Sequence, residues 1–158
     1  MGLSYNITPT SELTDKKAYL DHFKKIETYE FPNEFNIDTN SKFPNLQELS
    51  KAILESGCMI MDKSEEHRQG TEVSTSYQLK HPEYKCESDF TFHHDKAKIS
   101  SIIGIHADFR IMLRIATKLT ETCGTMIIWS AYDAHYVEKG KTFDQIWNKL
   151  KANWDFEE

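Results

Sequence analysis

The chain opens on strict alternation. Leu3, Tyr5 and Ile7 of GLSYNIT fall at every second position, the period of a half-buried strand, and Pro9 ends the run. The same period returns at Val73, Thr75, Tyr77 and Leu79, at Phe90 and Phe92, and at Ile103 and Ile105. Between the last two runs lies DKAK, short and polar, which predicts a hairpin about Lys96-Ala97 with His94 opposite Ile99 and His106 opposite Glu87. TMIIWSA is apolar at consecutive positions, so it reads as a strand covered on both faces. CMIM (58–61) predicts a short strand, with DKSEEHRQG as a polar turn after it. KHPEYKCE reads as a loop, because Pro82 cannot donate to a ladder.

Other segments repeat at three and four. Tyr19, Leu20, Phe23 and Ile26 predict a helix from about Ser11 or Thr14. Leu46, Leu49, Ile53 and Leu54 predict a second, opened by Asn45 with Glu48 in a capping-box pattern and stopped by Gly57. Asp108 caps a third, which carries Phe109, Met112, Leu113, Ala116 and Leu119 and ends at Gly124. Thr142 and Gln145 open a fourth, with Phe143, Ile146, Trp147, Leu150 and Trp154 as its stripe. SAYDAHYVEKG reads as a polar loop after the buried strand. The order predicts an α+β fold over residues 1–158 as one domain. A mainly antiparallel central sheet of about five to six strands carries about four helices, mostly on one face.

Composition narrows the function classes. The net charge of −6 argues against a phosphate-backbone ligand, which needs a basic patch, and suits a basic protein partner. No apolar run approaches the length of a membrane span, and the start lacks the basic and apolar regions of a secretory signal. Three scattered cysteines, Cys58, Cys86 and Cys123, without a C-x-x-C pair, read as buried or partly buried thiols in a reducing cytoplasm.

The densest chemistry is FTFHHDKAKISSIIGIHADF (90–109), with His93, His94, Asp95, His106 and Asp108. His93 and His94 are adjacent on a strand and point to opposite faces. The hairpin puts His106 more than about 20 Å from His94 at roughly 3.3 Å per residue. A shared metal ion is not expected, nor is a cofactor. Asp133 and His135 form the second candidate, but the chain has no nucleophile elbow, P-loop or zinc-protease motif to accompany them. A small hydrolase-like enzyme using this pair is therefore the alternative reading, with a ligand-binding or assembly module beside it. Arg110, Arg114 and Lys118 recur every four residues as a basic stripe, suited to gripping carboxylates elsewhere, such as those of segment 27–38.

Segment 27–40 mixes acids with aromatics in no helical period. Glu27, Tyr29, Glu30, Phe31, Glu34, Phe35 and Asp38 are the candidate partner-binding residues, aromatics as anchors and acids to select a basic partner. The stretches ADFRIMLRIATKLTETCGTMIIWSAYD (107–133) and GKTFDQIWNKL (140–150), with the opening GLSYNIT, resemble small cytoplasmic immunity proteins of bacterial polymorphic toxin systems. The resemblance is one of architecture and covers about half the chain. It implies a non-enzymatic inhibitor that binds and neutralises a cognate toxin, with no catalytic residues to carry over.

Overall fold

Asn45 and Thr142 each close a full capping box. Asn45 accepts from the Glu48 N–H at 2.8 Å and Thr142 from the Gln145 N–H at 3.2 Å, while the Glu48 and Gln145 side chains reach back to the cap amides. These caps start α1 (Leu46–Glu55) and α3 (Phe143–Leu150). Asp108 caps α2 (Phe109–Cys123) by accepting from the Arg110 N–H at 2.9 Å. The computed structural model describes residues 4–13, 37–131 and 133–153. The helix expected from about Ser11 or Thr14 lies outside the described residues apart from its first positions, where Thr10–Glu12 make a single 3-10 turn. Trp154 lies outside as well.

One antiparallel sheet organises the chain. Its strands are β1 (Tyr5–Pro9), β2 (Met59–His67), β3 (Glu72–Lys80), β4 (Ser88–Asp95), β5 (Lys98–Ile105), β6 (Met126–Trp129) and β7 (Ala134–Val137), in spatial order β2-β3-β4-β5-β1-β6-β7. The fold is α+β as the patterning implies. Seven strands replace the expected five to six, and three α-helices are present among the described residues. Both extra stretches of strand come from segments that read as loops. DKSEEH continues β2 to His67, and AHYV forms β7 against β6.

The β4–β5 hairpin turns at Lys96 and Ala97, both at positive φ (49° and 68°). His94 stands opposite Ile99 as expected, but a bulge between His93 and His94 then shifts the ladder by one, so His93 faces Ser101 and Asp89 faces Ile105. His106 therefore does not stand in line with Glu87; the shifted register carries it one position along.

The helices cover one face of the sheet. Tyr5, Ile7, Tyr77, Leu79, Phe90, Phe92, Ile102, Met126 and Ile128 point into a core shared with Leu49, Ile53, Met112, Leu113, Ile115 and Leu119. Gly104 admits the closest approach of α2: a Cβ there would stand 2.5 Å from the Met112 sulfur and 2.8 Å from the Ala107 Cβ. A smaller cluster, Leu13, Ile127 and Ala134 with Ile37, Trp129 and Tyr136 against it, covers β6 and β7 on the opposite face. Ile127 and Ile128 are both fully buried, so the strand read as covered on both faces is so. The stripe of α3 is only half-buried: Phe143, Ile146, Trp147 and Leu150 pack on the margin of the main core, and no residue of this helix is fully buried.

Candidate functional site

The turn between β6 and β7 is built around Asp133. Its backbone carbonyl accepts from the Ser130 N–H at 2.8 Å, and its N–H donates to Ser130 Oγ at 3.2 Å. The carboxylate is held at both oxygens: Ser130 Oγ donates to Oδ1 at 2.5 Å, and His135 Nε2 lies 2.9 Å from Oδ2. Burial pushes this carboxyl up, but the hydrogen bonds from His135 and Ser130 and the imidazole's charge outweigh it and hold Asp133 below its usual range. His135 is on a strand rather than in the expected loop. Its register opposite Ile128 turns it to the helix face, where its ring meets Phe109 edge-on at 4.8 Å.

The order of contacts decides what this group does chemically. A nucleophilic serine needs the imidazole on its hydroxyl and the carboxylate behind the imidazole. Here the carboxylate stands in the middle, between hydroxyl and imidazole. The Ser130 proton is directed to a carboxylate too weakly basic to remove it. The arrangement locks a turn and orients a ring.

Next to it lies a second polar group at the start of α2. Arg110 grips its own helix cap through both oxygens of Asp108, at 3.0 and 2.7 Å, and its guanidinium stands 4.0 Å over the ring of Tyr84. Arg114 donates to Tyr84 Oη at 2.9 Å and to Glu83 at 2.9 Å, and covers the Phe143 ring at 4.0 Å. His81 also stacks on Tyr84, with ring centroids 4.8 Å apart. Tyr5, buried beside these groups, has its phenol pushed up by burial and then by the charges of Asp133 and Asp108. Among the described residues the basic stripe of α2 meets Asp108, Glu83 and, for Lys118, Glu121 at 3.7 Å; of segment 27–38, residues 27–36 lie outside the described residues.

The partner-binding candidates Glu27, Tyr29, Glu30, Phe31, Glu34 and Phe35 lie outside the described residues. Asp38 is within them and acts as a clamp. Its carboxylate accepts from the Thr125 N–H at 3.1 Å and the Asn40 N–H at 3.0 Å, and its own N–H donates to Thr10 Oγ1 at 2.9 Å. His93 and His94 point to opposite faces, as adjacent strand residues do, and His94 bonds Thr75 Oγ1 at 2.8 Å. No metal-holding group of three His, Cys, Asp or Glu occurs among the described residues. Cys58 and Cys123 are buried and Cys86 is exposed, which departs from the expectation that all three are at least partly covered. Burial is the main cause that pushes the Cys58 and Cys123 thiols up, away from the reactive thiolate.

The surface the patterning missed is the β2 edge of the sheet, one of its two terminal strands among the described residues. All nine residues of β2 are exposed. Its first residues are apolar, with Met59 49%, Ile60 39% and Met61 52% exposed, and Leu54 at the end of α1 is 63% exposed. Its remaining residues include Asp62, Glu65 and Glu66. The signal in the sequence is CMIM next to a charged run with no apolar alternation: a strand with neither face buried. Among the described residues, no helix is long and apolar enough to cross a membrane. No family model, no curated protein and no solved structure matches this chain.

Proposed function

We propose that this chain is a non-enzymatic protein-binding inhibitor of the immunity type, which neutralises a cognate basic toxin by covering part of its surface. The supporting observation is the exposed β2 edge, where an apolar start adjoins a run containing Asp62, Glu65 and Glu66 on a chain of net charge −6. Segment 27–38, with its aromatics and acids, is the second contribution to the same reading. The polar groups around Asp133 and Tyr84 are engaged with one another, which suits a scaffold whose function lies on its surface. Cytoplasmic localisation belongs to this proposal, because the inhibitor must meet the toxin where the toxin acts.

The test is co-expression with the product of the adjacent gene, read as growth rescue and as a complex on size exclusion. Rescue together with a stoichiometric complex is expected. Rescue without a complex, or rescue lost in His135→Ala while binding persists, would replace the inhibitor with an enzyme. The hydrolase reading rests on the 2.9 Å contact between Asp133 and His135.

A further inference from the structure

We infer that the outward edge of β2 is a strand-docking site and that its occupant is an extended, basic segment of the protein partner. This rests on the binding reading above and gives it a mode. Arg68 donates its N–H to the Glu72 carbonyl at 2.9 Å, which makes Arg68 and Glu72 a hydrogen-bonded pair. Bonded and non-bonded pairs alternate along an antiparallel ladder. Glu66–Ser74 and Ser64–Ser76 are therefore bonded to β3, while His67, Glu65 and Lys63 face away from the sheet: the Lys63 N–H is taken by Asp62 Oδ1 at 2.8 Å, and the N–H groups of Glu65 and His67 and the three carbonyls point outward. Among the described residues β2 is the terminal strand, so the outward N–H groups of Glu65 and His67 and the three carbonyls form a template for a further strand.

Charge selects the occupant. On the face away from the helices, β2 presents Asp62, Ser64 and Glu66, in register with Gln78, Ser76 and Ser74. Basic residues at alternate positions of an incoming strand would meet both carboxylates. On the helix face, Lys63 and Glu65 pair with each other at 3.4 Å and leave that side near neutral. The apolar residues Met59, Ile60 and Met61 offer contact area at one end.

A second copy fits less well. Antiparallel self-pairing centred on Lys63 opposes two lysines, and centring on Glu65 opposes two glutamates. Centring on Ser64 gains Lys63–Glu65 twice but sets Asp62 against Glu66 twice.

The test reads amide hydrogen exchange residue by residue in the full chain. The probes are a synthetic peptide of about eight residues alternating Lys and Val, and its Glu–Val counterpart. In the free chain the amides of Glu65 and His67 exchange fast, while those of Ser64 and Glu66 are protected by β3 and that of Lys63 is held by Asp62. The Lys–Val peptide slows the two outward amides, Glu65 and His67, about tenfold or more; the Glu–Val peptide does not. Glu65→Pro removes one outward donor, the pair D62K/E66K reverses the charge, and each abolishes this effect with an unchanged melt. The inference is overturned by protection of the Glu65 and His67 amides in the free chain, by protection that rises with protein concentration alone, by equal effects of the two peptides, or by no effect of either. Failed growth rescue with a positive peptide result would end the inhibitor reading and leave the edge site standing. Rescue that survives both variants would do the reverse.

Discussion

The guanidinium of Arg114 lies 4.0 Å over the ring of Phe143, and this contact joins α3 to α2. Because α3 buries no residue completely, its attachment depends on such marginal contacts and on the half-buried Trp147, whose ring stacks with Phe143 at 6.2 Å. Arg114→Ala removes the cation–π contact and the hydrogen bond to Tyr84 and should cost about 1–3 kcal/mol. Glu83→Gln removes only an exposed ion pair and should cost less than about 1 kcal/mol. Urea unfolding of the two variants checks the ratio; equal losses would place the energy in the ion pair instead.

Trp147→Ala should destabilise the chain, but by about 1–3 kcal/mol, below the roughly 3–5 kcal/mol of a fully buried aromatic. Sequence periodicity put Trp147 on the core stripe, and the stripe does face the core. The shortfall arises because α3 packs on the margin and keeps part of each side chain in water. A loss of 4 kcal/mol or more on this scale would mean a deeper seat than the half-buried one.

What the patterning made legible was whatever has one dry face. The alternation in β3 and the capping residues Asn45, Asp108 and Thr142 are read directly, because burial and orphan helix amides leave a residue-type signature. The second half of β2 has no dry face, so Asp62 to His67 carry no alternation. In β7, the four residues Ala134 to Val137 are too few to show a period, and that concealed the strand under His135. The Asp133–His135 pair was visible as two neighbours in sequence. The role of Ser130 was not, since the turn that brings it to the same carboxylate depends on the β6–β7 pairing. One bulge at His93/His94 suffices to move His106 off its expected register.

Asp133 gives the fold an acid limit. Its folded carboxyl is held below the usual range, so its contribution to stability is present above the ordinary carboxylate pKa of about 3.9 and is lost as pH falls through the lower folded value. Asp133→Asn should lower stability at pH 7 by about 1–3 kcal/mol and flatten the decline below pH 4. Denaturant midpoints for both proteins from pH 7 to pH 3 provide the check, and parallel curves would assign the acid limit to other groups.

His81 acts in a higher window. Burial first, and then the charge of Arg114, hold its imidazole below the ordinary value, so the fold favours the neutral ring. That contribution is full above about pH 6.5 and is lost as pH falls from there towards the lower folded value. His81→Gln should therefore remove a component of the stability loss between pH 7 and pH 5. A melt series over that range reads it directly, and an unchanged slope would show that the ring is protonated as easily in the fold as in the unfolded chain.

Gly57 tests the seat of the same ring. It sits at φ +87°, and a Cβ there would stand 3.0 Å from His81 Nε2. Gly70 is also at positive φ (+66°), but a Cβ there meets nothing within 4 Å. Gly70→Ala should therefore report backbone strain alone, about 1 kcal/mol. Gly57→Ala adds the displacement of an imidazole stacked on Tyr84, a ring that Arg110 also covers, and should cost about 1–2 kcal/mol more. The extra loss should shrink when His81→Ala is introduced with it, because the two residues share one space and their effects then fail to add. Full additivity in that double-mutant cycle would show that the ring moves aside freely, and that the Tyr84 stack contributes little to holding loop 81–87 against α2.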